Sequence, residues 1–224
     1  MPKIKHIKER LKFYLYRLNI LNNKKFFVDY NDNELNLSII DKTIKYKNSK
    51  INHENLDINE TRCVNFANVV KAYNFSTILD FGGGAGYHYF LAKKYLYKEK
   101  IDWNIVENEM MVNLCKIHLN EAELSFIKDL KKIEKKIHIV FSSCAINYCD
   151  NPLMLLKELL DLPCEYYYFT RTPLSLNSNF KYQQFSRFSE NGPINEVSKI
   201  NKGVKVMNNI STKKELEEII NNNF

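Results

Sequence analysis

The chain has 224 residues, 45% of them hydrophobic and 13% aromatic, enough apolar material for one sizeable core with additions. No apolar run approaches the ~20 residues of a membrane span, and the N-terminus lacks the small-residue cleavage pattern of a signal peptide. The five cysteines, Cys63, Cys115, Cys144, Cys149 and Cys164, contain no C-x-x-C pair, which argues against a disulfide framework and a structural zinc site and for a reduced, cytoplasmic protein.

Over 3–22, Ile4, Ile7, Leu11, Tyr14, Leu15 and Leu18 share one helical face, and Lys3, Lys5, Lys8, Arg10, Lys12 and Arg17 crowd the rest. Such a helix can lie on an anionic membrane surface, at the inner face of the membrane, or pack on its own domain; the modest, partly aromatic stripe favours packing. The formal net charge of +7 admits acidic partners. Lysine, however, is spread along the whole chain, and no aromatic RNP strand or zinc-finger spacing marks a specific nucleic-acid binder. A strand or turn follows at 26–30, then a helix over 34–46 and a polar loop over 48–59. These first 58 residues are too short and polar for an independent core and read as a helical N-terminal cap. The main domain is expected over 59–224, opening with a helix at 63–73.

The run 76–91, STILDFGGGAGYHYFL, predicts a buried strand at 77–81, a glycine turn and a helix at 87–97. Gly82, Gly83, Gly84 and Gly86 suit a backbone that turns at positive φ or comes close to a ligand. This is the first crossover of an open α/β sheet, where ligands sit beyond the strand's carboxyl end. The dinucleotide fingerprint G-x-G-x-x-G would need glycine at Tyr87. Asp80 beside the turn would repel a pyrophosphate and attract an ammonium or sulfonium group. S-adenosylmethionine (SAM) carries both cations and no phosphate. The run 78–86 resembles the first motif of class I SAM-dependent methyltransferases.

Further on, 101–106 predicts a second strand ending in Glu107, about twenty residues past the turn, where a carboxylate can hold ribose hydroxyls. Asn108 follows on the adenosine side. After a helix at 109–119, a short strand at 124–127 leads to Asp129, either an adenine contact or a helix cap. The fourth strand, 137–141, runs into Ser142 and Ser143, which face the donor's methionine end. His138 inside that strand reads as a paired core histidine. Asn151-Pro152 opens a leucine-rich helix, and 164–170 is the fifth strand. Alternating strands and helices predict an α/β, Rossmann-like, doubly wound and mainly parallel sheet.

The set LDFGGGAGYHYF, WNIVEN, FSSCAINYCDNP and FTRTPLS is similar to one family of class I methyltransferases encoded among bacterial capsule, lipopolysaccharide or exopolysaccharide genes. That resemblance runs from about Tyr30 onward and implies SAM as cofactor. It also implies O-methylation of a sugar, nucleotide-sugar or glycan intermediate. Thr170 stands where the family has Asp before Arg171. The polar, aromatic stretch 173–204 is expected to be a substrate lid, 205–208 a loop, and 211–222 a helix capped by Ser211 or Thr212. The family's two further strands are not found after it, so a shortened C-terminal edge is expected. No catalytic base announces itself; Tyr148, Arg171 and His88 are the candidates, and Arg171 can clamp a phosphate. No metal site is expected. Two alternatives stay open: a non-catalytic SAM-binding homologue that docks on a synthesis complex, and an RNA methyltransferase.

Overall fold

The computed structural model describes residues 27–49, 58–96, 100–133, 135–193 and 202–223, with single positions 11, 14, 15, 18 and 56. Apart from those single positions, the basic helix expected over 3–22 lies outside the described residues, as does most of the loop at 48–59.

Five β-rich runs form a parallel sheet: β2 (Thr77–Phe81), β3 (Asp102–Val106), β4 (Leu124–Ile127), β5 (Ile137–Ser143) and β6 (Cys164–Thr170). Its order is β4-β3-β2-β5-β6, with every neighbouring pair parallel. The chain leaves β2 towards β4, then returns to the other side of β2 at β5. This reversal opens a crevice at the carboxyl ends of β2 and β5, the place where open α/β sheets bind ligands. The expected fold class is the one observed.

Both sheet faces are covered, as parallel strands require. On one face Ile78, Trp103, Ile105, Ile139 and Phe141 meet helix α2 (Ile58–Ala72), α3 (Tyr87–Tyr95) and α4 (Glu109–His118). Phe66 of α2 is fully buried, stacked on Phe141 at 4.2 Å and edge-on to Trp103 at 5.8 Å. On the other face Leu79, Val106 and Val140 join Leu159 of α5 (Pro152–Leu160). The closing helix α6 (Lys213–Asn221) packs Leu216 and Ile219 beside Leu156 and Leu160. His138 is paired as expected, its Nδ1 accepting from the Thr77 amide at 3.1 Å, but it is half-buried rather than a core residue.

The region after β6 departs from expectation. The stretch predicted as lid and loop builds β7 (Leu174–Ser175), β8 (Phe180–Arg187) and β9 (Gly203–Thr212). β9 pairs antiparallel with β8 along its length and parallel with β7 at 211–212. It also pairs parallel with β1 (Phe27–Val28). Polar Asn208, Asn209 and Ser211 disguise β9, because an amide-rich run reads as a loop. They are buried, and both asparagine side chains donate from their amide nitrogens, Asn208 to Gln184 and Asn209 to the Cys149 carbonyl. The following helix starts at Lys213 with Thr212 as its cap, one of the two caps expected, in a reciprocal pair with Glu215.

Helix α1 (Asn33–Asn48) starts at its Asp32 cap and packs on α3 and α4. One continuous core runs from Leu35 to Val204. Lys42, 4% exposed, donates to the carbonyls of Phe188 at 2.8 Å and Asn191 at 2.6 Å, tying α1 to the turn after β8. Among the described residues β6 has β5 as its strand neighbour.

Candidate functional site

Each glycine of the turn has its own reason. Gly82 (φ +72°) lies so near Ala145 that a Cβ would sit 2.1 Å from that methyl carbon. A Cβ at Gly83 would meet the Asp80 carboxylate at 2.5 Å. Gly86 (φ +86°) begins α3 and packs against Leu124 and Ile105. Gly84 (φ +57°) faces open space, and there a ligand can approach bare backbone.

Beside Gly84 stands Glu107. Its Oε1 accepts from the Gly84 amide at 3.1 Å, and its Oε2 accepts from the Asn108 amide and side chain at 2.9 and 3.0 Å. Burial pushes the Glu107 carboxyl above the usual glutamate range, against the pull of the Asn108 and Gly84 donors; the nearby Asp80 adds to the rise. Asn108 is the cap of α4, its oxygen taken by the Met111 amide and its nitrogen by Glu107. It therefore orients Glu107, a role the sequence reading did not give it.

Asp80 is fully enclosed. Its Oδ2 accepts from Trp103 Nε1 at 3.2 Å and lies 3.3 Å from His88 Nδ1, while Oδ1 has no hydrogen-bond partner among the described residues. The attraction for a cation expected of Asp80 would therefore act through space, from beneath the turn. His88 is held by Asp80 on one side and edge-on to Phe141 on the other. Ser142 is 1% exposed and spends its hydroxyl on the Phe81 carbonyl, so it offers no surface to a ligand. Ser143 accepts from Arg171 Nε at 3.1 Å. Asp129 is exposed and caps the short turn at Leu130–Lys132 through the Lys131 amide.

Across the crevice, Cys144 (φ +61°) and Arg171 (φ +55°) follow the paired residues Ser143 and Thr170, and the Cys144 amide donates to the Thr170 carbonyl. Two non-glycine residues in the left-handed region at adjoining strand ends are local strain of the kind that gathers at binding sites. Tyr148 donates to Gln184 Oε1 at 3.2 Å, lies 3.7 Å from Cys144 Sγ and meets the Tyr30 ring edge-on at 5.8 Å. Burial holds the Tyr148 phenol well above its ordinary value. It pushes Tyr30 up to about 12, helped by Cys144 and Glu107 and opposed by Arg171. Tyr30 and Gln184 thus join a site that sequence reasoning assigned to Tyr148 and Arg171. Nothing in their local sequence marks them, since they arrive from β1's following turn and from β8.

No family model matches the chain, and no curated protein matches it. Solved structures similar to it include Streptomyces venezuelae DesVI, at 14% identity and TM-score 0.47, covering 73% of this chain and 82% of that one. The plantazolicin methyltransferase BpumL in complex with S-adenosylhomocysteine (SAH) and a monoazolic desmethylPZN analogue is 20% identical, with TM-score 0.41 and coverage of 84% and 75%. Human N-acetylserotonin methyltransferase in complex with SAM is 15% identical, with TM-score 0.44 and coverage of 74% and 46%. The likeness is one of chain path. At these scores it adds nothing to the fold, which strand order and register define.

Proposed function

We propose that the chain binds SAM at the carboxyl ends of β2 and β3 and methylates an oxygen of a sugar or sugar-linked intermediate of surface-polysaccharide synthesis. The observation that carries the donor half is the meeting of Gly84 and Glu107: open backbone beside a half-buried carboxylate at the sheet's reversal. Glu107 accepts hydrogen bonds from the ribose hydroxyls, Gly84 lets the ligand approach the chain, and buried Asp80 supplies negative potential beneath the turn. These residues fit the group; when bound, SAM supplies an electrophilic methyl on a sulfonium centre. Asp129 keeps its second oxygen for the adenine side. Tyr30, Tyr148 and Gln184 cover the crevice and exclude water from it, and Arg171 stands at its edge. The sugar acceptor is supported by the motif set around Asp80, Glu107, Ser143 and Arg171.

A second reading, donor binding without transfer, draws on the engagement of the candidate bases. His88 is held on Asp80, Arg171 on Ser143, and Tyr148 is a poor base with its proton so firmly held. Calorimetry with SAH tests the donor site: saturable binding is expected, and its absence overturns both readings. Methyl-label transfer from SAM to nucleotide sugars separates them, because only the enzyme labels the acceptor.

A further inference from the structure

A cavity of about 390 Å³ lies between α5, α6, the end of β6 and β9. Glu107 and Gly84 do not line it. Leu153, Phe169 and Leu216 line it half-buried, each keeping surface that a ligand can touch. Leu174 and Ile220 also line it and are 38% and 37% exposed, so the apolar surface continues to the outside.

The polar part of the lining is concentrated in one run, Thr170, Arg171 and Thr172. Asn147, Asn209 and Ser211 line the cavity too, but they are sealed in the protein and offer a ligand little. Arg171 is exposed, and among the described residues of the lining it alone is charged. Its Nε and Nη2 donate to the hydroxyl and carbonyl of Ser143, neutral groups that leave its charge in place. Thr170 and Thr172 are half-buried on either side, each with a hydroxyl able to donate. Apolar walls call for an alkyl chain, since burying it takes hydrocarbon out of water. A cationic head would be repelled by Arg171 and meet no carboxylate in this lining, and a neutral head would gain no ion pair. A carboxylate or phosphate matches the planar guanidinium.

We propose that this cavity binds a single-chain anionic amphiphile, its chain among Leu153, Phe169, Leu216 and Ile220 and its carboxylate or phosphate head on Arg171. The volume is at the small end of ligand pockets, which suits one short chain. The site stands without the donor reading, so it is tested without SAM. Octanoate and octyl phosphate are titrated by calorimetry below their micelle concentrations. At least one should bind about tenfold or more tightly than octyltrimethylammonium, octyl glucoside, acetate or inorganic phosphate, and the tighter of the two identifies the head. Arg171→Gln should erase the preference for the anion over the glucoside. Leu216→Trp, which fills the cavity from α6, should remove binding while circular dichroism stays unchanged. Should that variant not fold, Ile220→Trp at the exposed end gives the same result. Four outcomes would each overturn the proposal: neither anion binds the wild-type chain, the cation or the glucoside binds equally well, the folded tryptophan variant binds in full, or Arg171→Gln keeps the preference.

Discussion

At the scale of single residues, Glu107 carries the most chemistry. Its carboxylate is already shared by Gly84 and Asn108, and burial raises it above the ordinary glutamate range. Hydroxyl donation from a ribose favours the ionised form. SAH affinity should therefore be full above the raised value and fall as pH drops through it, starting at higher pH than an exposed glutamate would give. Calorimetry across the acid range checks this; Glu107→Gln should bind about tenfold or more weakly, with a flat profile. The glycines allow a sharper contrast. Gly83→Ala drives a Cβ into the buried Asp80 carboxylate and should destabilise by about 2–3 kcal/mol. Gly84→Ala meets open space and pays only for its positive φ, about 1 kcal/mol. Urea unfolding should rank them in that order, whereas SAH affinity should suffer at Gly84. The turn's position and Asp80's place beside it were legible in sequence because glycine spacing is a local signal. That Asp80 would be sealed by Trp103 and His88 was not, since both arrive from other elements.

Elements were read well where hydrophobic period and turn chemistry agreed, as in β2 to β6 with their intervening helices. They were misread where polar residues are buried: β9 hides Asn208 inside a network with Asn147, Tyr182 and Gln184, and Asn209 against the Cys149 carbonyl. A sequence cannot show that an amide's partners lie sixty residues away. Lys42 is the same problem in a helix, a cation that reads as solvated and is enclosed against two carbonyls. Lys42→Met should leave those carbonyls unmet and cost about 2–3 kcal/mol in thermal or chemical unfolding, more than exposed lysines such as Lys181. The cap of α6 was legible from Thr212 and Glu215. Thr212→Ala should cost about 1 kcal/mol by the same measurement.

For the molecule as a whole, two sheets share one core, so donor occupancy should stabilise the fold globally. SAH at a hundred times its dissociation constant should add about 2.7 kcal/mol, visible as a rise in Tm that Glu107→Gln removes. Among the described residues no helix is long and apolar enough to cross a membrane. The five-stranded architecture was legible because βα repetition fixes it; the four-stranded companion sheet was not, because β1 contributes only two residues and β7 only two.

One run of backbone touches nearly everything beyond the main sheet. β9 holds β1 at its start, β8 along its side and β7 near its end, and Asn208 and Asn209 reach the 146–149 turn. That same turn carries Tyr148 on the crevice side and Asn147 in the lining of a second pocket, a cavity of about 390 Å³ between α5, α6 and β9. Messages between the two pockets thus have a short physical route, and thermodynamics requires any such cross-talk to be mutual. If filling that cavity alters the affinity for SAH, SAH must alter the affinity for whatever fills it by the same factor.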